Sequence, residues 1–190
     1  VVATVAASRA AVASLREGVA EVAGRAAVEV TLAGGVPESA LAALLPLAPR
    51  AVIVPVVEDV ALAPRLGDAV RVLGIDPLVD SAGRQFELVG NAAAPEVFER
   101  LLRGEGVLVS ERLAAALAIS DGGEVELAVR SRPVRLRVLA RFRAARLAAA
   151  WDRVVVADVA LAQRLFGAVG RVDRVELVPR SETLGDDEIA

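Results

Sequence analysis

The side chains that could do chemistry in this chain of 190 residues are carboxylates, serine hydroxyls and guanidinium groups, because His, Cys, Met, Tyr and Lys are absent. That set removes imidazole and amine bases, thiolate nucleophiles, Schiff-base chemistry and the lysine of a phosphate-binding loop. Ser110 has no base in sequence reach and stands where an N-cap oxygen meets the first free amides of a helix. Glu58-Asp59 and Asp186-Asp187-Glu188 are acidic clusters, but neither follows the twelve-residue spacing of a calcium loop, and both read as solvated loop acids. Asp121-Gly122-Gly123-Glu124 reads as a tight turn rather than a metal loop. The double glycines lack phosphate-loop spacing. No catalytic, cofactor-binding or metal-ligating residue is assigned, no cofactor is expected, and an enzyme is not expected.

Arginine is the sharpest charge feature. Arg130, Arg132, Arg135, Arg137, Arg141, Arg143 and Arg146 form a row that could meet phosphates, lipid headgroups or an acidic partner. The simpler reading is a solvated strand face offset by Glu124 and Glu126 across a hairpin. The net charge of −3 argues against nucleic acid as a bulk partner. Trp151 reads as a packing anchor. No stretch reaches the ~18 uninterrupted apolar residues of a membrane span. Opening on Val1 without a charged leader, the chain reads as a piece of a longer protein.

The elements that must position these groups follow from spacing. Val1, Val5, Ser8, Val12, Leu15, Val19 and Val22 recur at fours and threes, which predicts one long helix over 1–23 with a narrow apolar seam. Val28 to Leu32 alternates as a strand turned by Gly34-Gly35, and Pro37 opens a short helix ending at Pro46. Ala51 to Val57 is a buried strand in which Pro55 marks an edge or a bulge, and Ala69 to Leu73 is another. Pro95 opens a helix to Leu102. Val107 to Val109 is a strand, followed by a helix facing inward through Leu113, Ala114 and Leu117, and then a strand from Glu124 to Leu127. Pro133 to Phe142 is predicted as a strand with Val134, Leu136, Val138, Ala140 and Phe142 on one face. Val154 to Val156, a helix capped by Asp158 and stopped by Gly167, and Val172 to Val178 complete the pattern. Residues 181–190 form an acidic tail.

The predicted class is α+β, with a long N-terminal helix and strand–helix–strand units. One lobe is built from both ends (about 1–75 plus 151–180), and a smaller α/β lobe is inserted at about 76–150.

In order and spacing, Val-Leu-Val-Ser-Glu-Arg-Leu-Ala at 107–114, Ile119, Gly123-Glu124-Val125 and Leu127 resemble the extracytoplasmic domain of MacB/FtsX-type ABC transporter permeases. The strand Val134–Phe142, the helix Asp158 to Gly167 with its Ala-Gln pair, the strand opening Arg171-Val-Asp-Arg-Val175 and the loop Ile75-Asp76-Pro77 are similar to further motifs of that family. Ala118 and Ala140 stand where the family often has Gly, and Gly123-Glu124 replaces its usual Gly-Asp. The resemblance implies a non-catalytic domain over 1–190, lying between two membrane helices on the extracytoplasmic face of a bacterial cell membrane. It implies motion driven by a cytoplasmic ABC ATPase, pairing with a second permease copy or homologous half, and work on an extracytoplasmic protein or lipid substrate. Two other classes compete: a swapped-hairpin DNA-binding module, because a Ser-Glu-x-Leu helix with a Gly-acidic turn also occurs there, and a soluble ligand-binding domain. The acidic balance opposes the first, and one Trp with four Phe makes a poor aromatic cleft for the second.

Overall fold

A computed structural model of the chain describes residues 28–76, 79, 86–90, 94–144 and 151–180. The helix expected over 1–23 and the acidic tail 181–190 lie outside the described residues.

Nine strands join in one mixed sheet among the described residues: β1 (Val28–Pro37), β2 (Ala51–Ala63), β3 (Asp68–Ile75), β4 (Phe86–Val89), β5 (Val107–Ser110), β6 (Glu124–Val129), β7 (Arg132–Ala144), β8 (Val154–Asp158) and β9 (Arg171–Pro179). The helices are α1 (Leu41–Leu44, continued by 3-10 turns over Glu38–Ala40 and Leu45–Leu47), α2 (Ala94–Leu102), α3 (Glu111–Leu117) and α4 (Val159–Phe166). The α+β expectation holds.

Strands β2, β3, β8, β5 and β7 hydrogen-bond in series, and β6, antiparallel to β7, returns to β2 with Leu62 opposite Ala128. The ring closes as a small barrel, whose interior side chains must fill it. They are mostly valine at alternate positions: Val57, Val70, Val72, Val107, Val109, Val125 and Val155 are all buried in one cluster. β-Branched residues suit this pleated, crowded surface. Helix α3 adds Leu113, Ala114 and Leu117 to the same core, and α4 adds Ala162 and Phe166. Gly74 permits the second of these dockings, since a Cβ there would lie 2.3 Å from the Cβ of Ala162.

A second part grows from the barrel because β2 runs beyond the stretch expected for it, to Ala63 instead of Val57. Its first half pairs with β9 (Val52 opposite Val178, Val56 opposite Arg174), and its second half, from Val57, pairs with β3. With β1 outside β9, this makes a three-stranded wing. Pro55 lies in the half paired with β9, before the β3 ladder begins, so its missing N–H interrupts no ladder to β3.

Two local expectations are corrected. Gly34-Gly35 does not end the first strand. Both glycines have positive φ (+83° and +89°), and they form a bulge inside β1, which regains its pairing with β9 at Val36. Gly35 approaches the Val172 carbonyl so closely that a Cβ would lie 2.9 Å from its oxygen. Strand β7 does not keep one apolar face either. Val107 of β5 faces Val138 while Leu108 faces Ala140, so Leu139 is an extra residue in the ladder. Leu136 and Val138 therefore point into the barrel, whereas Ala140 and Phe142 join an outer core with Leu108, Val154 and Val156 under Val97 and Leu101 of α2. Gly106 sits beside this bulge, where a Cβ would meet the Arg137 carbonyl oxygen at 2.4 Å. On the outer face Phe86, Phe142 and Trp151 pack edge to face, with centroids 5.1 to 6.2 Å apart. Trp151 is the packing anchor its isolation suggested.

Candidate functional site

Ser110 occupies the N-cap position of α3, yet its side chain makes no capping bond. The hydroxyl donates to the Asp152 carbonyl at 2.9 Å and accepts from the Val154 N–H at 3.3 Å. The expected capping role is corrected: Ser110 staples β5 to the start of β8. Asp158 does cap its helix, accepting from the N–H groups of Ala160 (3.0 Å) and Leu161 (3.3 Å). Burial raises the Asp158 carboxyl above its ordinary value, and nearby Asp76 adds to the rise, against the lowering effect of those two amides. Among the described residues no group of three acids could hold a metal ion.

The arginine row divides. Arg135 meets Glu126 across the β6–β7 hairpin at 3.7 Å, as the pairing of that face required. Arg141 bonds Asp121 (Nε to Oδ1, 2.8 Å) and Arg143 bonds Glu111 (Nη2 to Oε2, 2.7 Å). Each guanidinium is raised in pKa by that hydrogen bond. Arg130, Arg132 and Arg137 form no ion pair among the described residues. Arg146 lies outside them. Arg130 and Ser131 turn the hairpin with positive φ at both positions (+48° and +66°), the backbone of a two-residue turn usually left to Asn-Gly.

The most organised polar cluster lies where the wing meets the barrel. Arg174 of β9 bonds Glu58 of β2 (Nη1 to Oε2, 2.8 Å) and Glu176 of β9 (Nε to Oε1, 2.9 Å), with Glu29 of β1 at 3.7 Å. Arg71 of β3 reaches the other oxygen of Glu58 at 3.4 Å and lies over the Trp151 ring at 5.6 Å. Asp173 accepts from the Glu58 backbone N–H at 2.7 Å. Glu176 is 1% exposed. Burial alone would lower the Arg174 pKa, but the carboxylates of Glu58 and Glu176 outweigh it and raise the value. The cluster ties four strands together where β2 changes partner, and each arginine in it meets a glutamate; its chemistry is cohesion. Reading Glu58 as a solvated loop acid is therefore corrected. Arg174 and Glu176 were missed in sequence, although two opposite charges two residues apart on one face of a strand, between Val172 and Val178, are a signal of paired burial.

The wing also fixes where the chain enters and leaves. Val28 lies opposite Leu177, and Ala51 opposite Pro179. The Arg180 N–H donates to the Arg50 carbonyl at 3.0 Å, and its Nε donates to that of Ala48 at 2.8 Å. The first and last described strands thus run side by side and antiparallel, with both outer ends at one tip of the wing. Strand β2 leads away from that tip over 13 residues, a reach of roughly 40 Å to the β2–β3 turn.

No family model matches the chain. In sequence it is similar to an uncharacterised ABC transporter permease of Mycobacterium tuberculosis, at 29% identity over 131 residues, which are 67% of this chain and 15% of that protein. The chain thus spans a small part of the length of the curated relative it matches. In fold it is similar to the extracellular domain of the ABC-type transporter YknZ from Gram-positive bacteria, with a TM-score of 0.54 and 12% identity over 80% of this chain and 76% of that one. The periplasmic region of MacB from Actinobacillus actinomycetemcomitans is similar too, with a TM-score of 0.50 and 12% identity over 80% of this chain and 68% of that one. The fold is that of extracytoplasmic domains of MacB-type ABC transporter permeases, the likeness that the order of motifs had already carried. No helix among the described residues is long and apolar enough to cross a membrane.

Proposed function

We propose that this chain is the outward-facing domain of an ABC transporter permease, set between two membrane helices, and that it passes ATP-driven motion to a protein or lipid substrate outside the membrane. Its partners in this reading are a second permease copy or homologous half and a cytoplasmic ABC ATPase. The observation that carries the reading is the pairing of Val28 with Leu177, which brings the first and last described strands to one tip. Two membrane helices joined there would pull on β1 and β9 directly, and those strands connect to the barrel through β2 and the Arg174 cluster. Residues 76–150 serve as an insert in this arrangement, because β3 and β8 on either side of it pair directly in parallel (Arg71 opposite Val154, Ile75 opposite Asp158). Work without chemistry also suits a chain with no His, Cys, Lys or Tyr.

A spin label at Val169→Cys tests the motion, since Val169 is 72% exposed at the end of the wing away from the chain ends. In the reconstituted full-length permease with its ATPase, the distance between labels on two copies shifts on ATP binding. An unchanged distance in the nucleotide-free and ATP-bound states contradicts the proposal.

A further inference from the structure

The segment from Glu38 to Leu47 has no buried residue, although beyond Ser39 it consists only of Ala, Leu and Pro. Leu41 and Leu44 lean on the barrel core, which leaves Leu45 62% and Leu47 39% exposed on either side of Pro46. One exposed leucine needs no explanation. Here two of them share a rigid turn with Pro46, and Val28 is exposed at the same tip of the sheet. Leu32, Val60, Leu62 and Val169 are exposed elsewhere, but here the exposed leucines adjoin on one turn, and such a patch marks a contact surface.

Position and charge identify what does. The Arg50 N–H donates to the Leu47 carbonyl, and the Arg180 N–H to that of Arg50, so the turn is fastened to the tip that holds the first and last described residues. From Ser39 to Val57 the sequence carries one charge, Arg50, and no carboxylate. Exposed leucines flanked by arginines are the makings of an interfacial contact: apolar groups sink to the acyl boundary while guanidinium groups meet phosphates.

We infer that the Leu45-Pro46-Leu47 turn sits in the outer bilayer interface, with Arg50 and Arg180 against lipid phosphates. The inference rests on the reading that membrane helices join the chain at this tip. It adds that the domain itself braces on the lipid, which gives the wing a fixed base against which the barrel can move.

The test uses the full-length permease reconstituted in phosphatidylcholine–phosphatidylglycerol bilayers, with a bimane fluorophore at Leu45→Cys or at Val169→Cys. Brominated phosphatidylcholine quenches the Leu45 probe by about half and leaves the Val169 probe unchanged. Arg50→Glu weakens the Leu45 quenching, and more so when phosphatidylglycerol is present. Equal quenching at both sites, or none at Leu45, overturns the inference. So does crosslinking of two copies through Leu45→Cys with no quenching, which would make the turn a contact between subunits. Because Val169 is labelled from outside the cell only if the domain faces outward, failure at Leu45 with outside access to Val169 sinks the inference alone.

Discussion

The barrel and the wing use the same apolar residue types to opposite effect. In the barrel, valines from several strands meet in a closed interior and are fully buried. In the wing, β1 is an edge strand exposed along most of its length, Leu32 and Val28 stand in the open, and α1 buries nothing completely. The wing is held to the barrel by shared apolar packing (Val36, Val172 and Val175 with the barrel valines, Val54, Val56 and Val178 with the outer core), by the β2 ladder and by a charged cluster around Arg174. The barrel closes its ladder on itself, whereas the wing keeps β1 as an open edge beside a well-buried β9.

Urea denaturation of substituted chains can break that comparison. Phe142→Ala, in the outer core of the barrel, should cost about 3–5 kcal/mol through lost burial and the cavity left among Phe86, Trp151 and Leu108. Glu176→Ala should cost about 2–3 kcal/mol, below the full penalty for a stranded buried charge because Glu58 still holds Arg174. If Glu176→Ala costs under about 0.5 kcal/mol, the junction is not held by its charges.

Asp158→Ala should cost about 1 kcal/mol, and Asp158→Asn much less, since asparagine caps as well. The pH dependence has a definite sign. A carboxyl raised in the folded state binds its proton more tightly there, so its contribution to stability is complete below the unfolded pKa and fades as pH rises through the folded one. The parent chain should therefore gain stability relative to Asp158→Asn on acidification from neutral pH, and a loss would contradict the burial assigned to Asp158. A smaller effect concerns α3, which ends on Ala118 in the left-handed region (φ +54°), where α4 ends on Gly167. Ala118→Gly should stabilise by about 0.5–1 kcal/mol. At the bottom of the scale, Leu45→Ser should change stability by less than about 0.5 kcal/mol, because that side chain is already in the open.

The parts legible in sequence are those decided locally. Asp158 and Gly167 sit a helix length apart, and both cap as their types dictate. The alternation of Glu124, Val125, Glu126 and Leu127 appears unaltered as exposed and buried positions on β6. The parts that were not legible depend on partners far along the chain. Ser110 gave up its capping bond for Asp152, 42 residues away, and nothing between the two predicts the meeting. The shift of face in β7 arises from its register against β5, which inserts Leu139. Glu58 looked like a loop acid because its partners, Arg71 and Arg174, come from other strands. The arginine row was half legible: Glu124 and Glu126 were expected to offset it across the hairpin and Glu126 meets Arg135, whereas Asp121 and Glu111 were not foreseen as the partners of Arg141 and Arg143.

The central claim is that the wing tip faces the bilayer and the rest of the domain lies outside the cell membrane. The most direct test is labelling of intact cells with a membrane-impermeant maleimide, using the full-length permease with Val169→Cys as its single cysteine; this chain contributes none of its own. Complete labelling is expected without permeabilisation. Labelling that appears only after the membrane is opened would place the domain on the cytoplasmic side and contradict it.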